Sequence, residues 1–243
     1  MGSDHEELFK KRKGQKKNRL ERTLELAPNR YLIVSEGKET ETNYFEGIQR
    51  RINSKYGNRI DVKKAIHLDI FGTGRNTNDL VNHVEDFIYQ VDKLANRSII
   101  PYRHIWVIFD KDDFTDGQFN SAIEQANKNG YKVGWSNESV ELWFLLHFEY
   151  LNSGISREQY NEKLTNHFRE KHVFQKYKLK RNKYDKNIDE IFEILYEFGD
   201  LDKAIDRSNK LFNEFKAQGI NSPAKMKPAN TIYKLVLELK DYI

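Results

Sequence analysis

Hydrophobic positions along this chain follow two regimes. Through residues 28–150, short apolar runs of strand character alternate with stripes of helical period, and from residue 151 onward only helical stripes continue. Tyr31-Leu32-Ile33-Val34 is a β-rich run that Ser35-Glu36-Gly37-Lys38 breaks. Thr40 or a neighbour then caps a predicted helix in which Tyr44, Ile48 and Ile52 recur on one face. Ile66 to Phe71 alternates apolar and polar residues, as a half-buried second strand does. After a loop from Gly72 to Thr77, a single helix is predicted, striped by Leu80, Val84, Phe87, Ile88, Val91 and Leu94. His104 to Phe109 is almost wholly apolar, the mark of a parallel strand buried on both faces. A helix over 118–128, a turn at Gly130 and a fourth strand from Tyr131 to Ser136 complete the alternation. Asn137 is expected to start the next helix, which runs through Glu141 to Phe148. Later stripes comprise Ile188, Ile191, Phe192 and Leu195, then Leu211, Phe212 and Phe215, then Ile232, Leu235, Val236, Leu239 and Ile243. The pattern predicts an α/β core over 28–150, with strands between helices, and a helical extension over 151–243.

An open α/β sheet binds ligands at the carboxyl ends of its strands, and acids stand there. Glu36 ends the first strand, and Asp110-Lys111-Asp112-Asp113 ends the third. Carboxylates so close repel one another at neutral pH, and a divalent cation relieves them. Hard oxygen donors suit Mg²⁺ or Mn²⁺. Asp113 and Asp116 have a plainer use as helix caps. Glu141, the polar exception in an apolar helix, reads either as a partner for the helix dipole or as a further metal ligand. His147, on the same helix, reads as a packed core residue. The Gly72-x-Gly74 pair lacks the third glycine and the Lys-Ser/Thr of a nucleotide loop and reads as a turn.

Charge adds a second theme. Residues 1–22 hold eight Lys/Arg against four acids, an excess equal to the whole chain's +4, so residues 1–27 read as a basic arm. Residues 169–186 carry eight Lys/Arg against two acids, interleaved with Phe174, Tyr177 and Tyr184. Such a run suits a surface that follows phosphates, with Lys178, Lys180, Arg181 and Lys183 as candidate nucleic-acid contacts; a solvated helix face is the alternative. No run approaches the roughly 18 apolar residues that a membrane span requires. The absence of cysteine excludes disulfides and thiolate metal sites. With no apolar leader at the N-terminus, a cytoplasmic protein is expected.

Three blocks taken together, LIVSEGKETETNYFEGI, WVIFDKDDF and SNESVELWFLLHFE, followed by NTIYKLVLEL, resemble the RloB-like family, whose core is a TOPRIM domain. Ser35 stands where the family often has Cys, and Glu138 and Val140 where it often has Pro and an aromatic. The resemblance implies a TOPRIM-like, Rossmannoid sheet of four parallel strands flanked by helices. It maps Glu36 to the family's glutamate and Asp110 and Asp112 to its D-x-D pair, which bind Mg²⁺ for strand cleavage. Glu141 would join them at the metal, and Lys186 or Lys180 would neutralise charge at the phosphate. The implied activity is metal-dependent cleavage of DNA or RNA, tRNA included, in antiviral defence. Relatives stand beside ABC- or AAA-type ATPases, so a nucleic-acid-binding regulatory subunit that needs such a partner is the second expectation.

Overall fold

The computed structural model describes residues 29–56, 66–74, 77–95, 102–112 and 114–243. The basic arm over 1–27, Arg75, Asn76 and Asp113 lie outside these residues, as do the side chains of Val91 and Leu94. The strands are β1 (Asn29–Ser35), β2 (Ile66–Gly72), β3 (His104–Asp110), β4 (Lys132–Asn137) and β5 (Ala229–Asn230). The core helices are α1 (Thr40–Tyr56), α2 (Thr77–Asn82), α3 (Val84–Ala95), α4 (Asp116–Lys128) and α5 (Glu141–Leu146). The second half supplies α6 (Arg157–Glu170), α7 (Val173–Lys176), α8 (Ile191–Phe198), α9 (Leu201–Ala217) and α10 (Ile232–Leu239).

The sheet has the order β2-β1-β3-β4-β5. Its first four strands are parallel, as the alternation predicts, and β5 adds an antiparallel edge to β4. Period-two alternation explains the unbroken apolar runs of β1 and β3. Tyr31, Ile33, Trp106 and Ile108 pack into one apolar cluster, and Leu32, Val34, Val107 and Phe109 into the cluster on the opposite face. The first cluster also takes in Phe168, Leu195 and Val236, and the second takes in Ala224, Met226 and Ala229, so residues beyond 150 pack on both faces of the sheet.

Three local expectations are corrected. The helix over 80–94 is two helices that meet at His83, whose ring Nδ1 lies 2.7 Å from the Asp79 carbonyl while its N–H is shared between the Asp79 and Leu80 carbonyls. Asn137 ends β4 instead of starting a helix, because its side-chain amide donates to the carbonyls of Pro223 and Ala224. The C-terminal part is not wholly helical: Ala229–Asn230 pairs with β4, and the Thr231 N–H continues the ladder onto the Trp135 carbonyl at 2.8 Å. Two residues just after Pro228 are too few to show strand periodicity. Among the described residues no helix is long and apolar enough to cross a membrane.

Candidate functional site

β1 and β3 are neighbours, and the sheet grows from them in opposite directions, toward β2 on one side and β4 on the other. That switch point opens a crevice at their carboxyl ends. Glu36 leaves β1 into it. Its backbone N–H donates to the Ile108 carbonyl at 2.9 Å, and its carbonyl accepts from Gly74 at 2.8 Å. The hydroxyls of Ser35 and Thr42 both donate to the Gly37 carbonyl at 2.9 Å, pinning the turn. A Cβ at position 37 would overlap the Glu41 carboxylate, so glycine there leaves room for a second acid.

Asp110 ends β3 and is buried. Its Oδ2 accepts from the Val140 N–H at 3.0 Å, while its Oδ1 is buried without a hydrogen-bond partner. Burial, followed by the Glu41 and Glu141 carboxylates, raises its pKa well above the ordinary carboxylate range. Glu41, in the first turn of α1, is raised for the same foremost reason, burial, with Glu141 and Glu36 adding to it. Glu141 opens α5, buried; Ser139 Oγ donates to its Oε2 at 2.7 Å and the Tyr184 hydroxyl to its Oε1 at 3.3 Å. Asp112 takes a left-handed backbone, φ 36°, in the turn beyond β3. Its carboxylate meets Arg157: Nη1 lies 3.2 Å from Asp112 Oδ2, and Nη2 lies 3.6 Å from Asp110 Oδ2.

These groups line one cleft of 390 Å³, to which Glu36, Glu41, Asp110, Asp112 and Glu141 all contribute. The opposite wall is the loop between α7 and α8, which brings Arg181, Lys183, Tyr184 and Lys186. The Thr40 hydroxyl donates to the Lys186 carbonyl at 3.3 Å, and the Tyr184 N–H donates to Thr165 Oγ1 at 2.9 Å, fixing that loop to α1 and α6. Lys178 and Lys180 are exposed on the same loop outside the cleft lining, and Arg181 pairs with Asp185 at 3.1 Å. Residues 169–186 are therefore not one solvated helix face but a helix end, the short α7 and a loop over the acids. His147 is buried apart from the cleft lining, its Nδ1 3.0 Å from the Trp143 carbonyl, as a packed core residue.

The donors suit a hard divalent cation: all are carboxylate oxygens, and the orphaned Asp110 Oδ1 lacks any compensating partner. Among the described residues no three acids or imidazoles converge tightly enough to hold an ion as they stand. The Arg157 guanidinium supplies positive charge at Asp110 and Asp112.

Four members of the site were not among the sequence candidates, Glu41, Ser139, Arg157 and Asn161, and Tyr184 was named there only as an aromatic within the basic run. Glu41 left a signal, standing three residues before Tyr44 on the face that Ile48 and Ile52 continue, where a buried carboxylate is out of place. The other three arrive by tertiary packing or in a turn and leave none.

A mostly parallel sheet with acids gathered at its switch point makes this a Rossmann-like α/β protein. The family model of RloB-like proteins matches residues 31–239, and the chain belongs to the RloB-like family. Searches of curated proteins and of solved structures returned no match.

Proposed function

We propose that the cleft is a TOPRIM-type nuclease site that hydrolyses phosphodiester bonds of DNA or RNA with Mg²⁺ or Mn²⁺, in prokaryotic antiviral defence. The observation that carries this reading is the buried, unpartnered Asp110 Oδ1, in a cleft that five further carboxylates and the cations of a basic loop also line. Such a site has more negative charge than its own residues balance, and a phosphate would meet cations on the far wall.

Asp110, Asp112 and Glu36 would hold the metal, with Glu41 and Glu141 as further donors. A bound divalent cation supplies Lewis-acid polarisation of the phosphoryl oxygen and activation of water. Glu36, half-buried in the cleft lining, would accept a proton from the attacking water. Ser139 and Tyr184 hold the Glu141 carboxylate in one orientation. Lys183 and Lys186 offer positive charge to the phosphate.

The test is a panel of plasmid, single strands and tRNA, each with Mg²⁺ and Mn²⁺. Asp110→Asn and Asp112→Asn should abolish cleavage while leaving the circular dichroism spectrum unchanged. Full activity in either variant removes the assignment. A second reading, a nucleic-acid-binding subunit silent until an ABC- or AAA-type ATPase joins it, is favoured by the position of Arg157 across Asp110 and Asp112. Cleavage that appears only with a co-purified ATPase selects it.

A further inference from the structure

Arg157 is oddly placed for a helix residue. It is the first residue of α6, behind an N-cap in which Ser156 Oγ accepts from the Gln159 N–H and the Gln159 side chain accepts from the Ser156 N–H. The capping box fixes the backbone, but a cation in the first turn opposes the helix dipole. Its stabilising partners lie across the cleft: Asp112 at 3.2 Å and Asp110 at 3.6 Å. Those are the carboxylates that the proposed metal needs. One turn further along α6, Asn161 also lines the cleft, and its Oδ1 is buried without a hydrogen-bond partner.

We infer that Arg157 is a resident counter-ion that competes with the divalent cation for Asp110 and Asp112 and, once displaced, turns to the substrate phosphate. This rests on reading the cleft as a metal site. The guanidinium offsets the repulsion between the two acids. When positive charge arrives from solution, the anchored backbone of α6 keeps the guanidinium in the cleft. The Asn161 Oδ1, one turn further along the same helix and lining the same cleft, is an unused acceptor for the displaced N–H groups.

The roles separate because metal affinity and turnover should move in opposite directions. The whole chain is titrated with Mn²⁺ alone by calorimetry, comparing wild type with Arg157→Gln and Arg157→Lys. Removing a unit charge a few ångströms from the ion should tighten Mn²⁺ binding about tenfold in Arg157→Gln. Arg157→Lys, a point charge able to face only one carboxylate at a time, should fall between it and wild type, and decides the matter alone if Arg157→Gln does not fold. On whichever substrate of the panel is cut, kcat should drop in Arg157→Gln despite the tighter metal. Equal or weaker Mn²⁺ binding in the variants overturns the inference, because an arginine that merely props up the turn at Asp112 would weaken the site when lost. Tighter binding with no cleavage by any form keeps Arg157 as competitor and removes the nuclease reading instead. Failure of every form to bind Mn²⁺ removes both.

Discussion

Glu36 and Glu141 are similar in the sequence, each an acid near the carboxyl edge of the sheet, but their surroundings differ. Both oxygens of Glu141 already accept hydrogen bonds, from Ser139 and Tyr184, in a buried position. Glu36 is half-buried, in a turn held by its backbone. Glu36→Gln should therefore cost at least about 100-fold in cleavage rate, as loss of a general base or ligand does. Glu141→Gln should cost less, since an amide keeps the shape and one of the two acceptors. Metal titration separates the causes: loss of a ligand raises the Mg²⁺ requirement, whereas loss of a base lowers the rate at saturating Mg²⁺. If the two substitutions prove equally damaging, Glu141 is as central as Glu36. Legibility at this scale follows from burial. A parallel strand covered on both faces has to be an unbroken apolar run, so the acids that end β1 and β3 stood out. Arg157 and Asn161 reach the same cleft from a helix more than 40 residues further along the chain than β3, and no local pattern announces such an approach.

The elements sort the basic residues in a way that composition could not. Eight Lys/Arg over 169–186 form one cluster in sequence, but the loop between α7 and α8 turns Lys183 and Lys186 into the cleft and leaves Lys178 and Lys180 outside its lining. Two paired substitutions should then behave differently. Lys178→Glu with Lys180→Glu should weaken nucleic-acid binding and lower the slope of log K against log salt by roughly two, leaving the rate at saturating substrate intact. Lys183→Glu with Lys186→Glu should lower that saturating rate as well, because both residues line the cleft that the acids line. Binding isotherms across a salt series, with single-turnover cleavage at saturation, read both. If the outer pair reduces the saturating rate as much as the inner pair, the loop acts as a diffuse charged surface and the cleft has no wall of its own. The sheet shows the same limit of sequence reading. The four parallel strands were legible from their length and apolarity, whereas β5, two residues long, exists only because β4 offers an open edge for Ala229 and Asn230 to pair with.

At the scale of the whole molecule, the cleft and the core impose opposite pH dependences on stability. His147 lies at the end of α5, where its carbonyl accepts from the Asp200 N–H at 3.0 Å and its ring packs edge-on to Trp143 at 4.9 Å, joining the core to the N-terminus of α9. Burial lowers its pKa to about 4, against roughly 6.5 in an unfolded chain. Between those values the unfolded chain takes up a proton that the folded protein refuses. The contribution of His147 is thus complete above about pH 6.5 and is lost as pH falls toward 4, by up to about 3 kcal/mol. Asp110 and Glu41 act with the other sign. Their folded pKa values are raised, so acidification relieves a repulsion that is greatest at neutral pH, and stability rises as pH falls toward the ordinary carboxylate range. In the wild-type protein the two effects oppose each other across pH 4–6.5, and the profile of unfolding free energy should be shallow. His147→Asn, whose amide can replace the Nδ1 hydrogen bond without titrating, should uncover the carboxylates and make the protein gain stability on acidification. Asp110→Asn should do the reverse, raising stability at pH 7 and steepening the loss below pH 6.5. Urea unfolding at half-unit steps from pH 4 to 7.5 reads both slopes. If the two substitutions shift the profile in the same direction, the balance between a neutral buried histidine and an over-charged cleft is not what governs stability in this window.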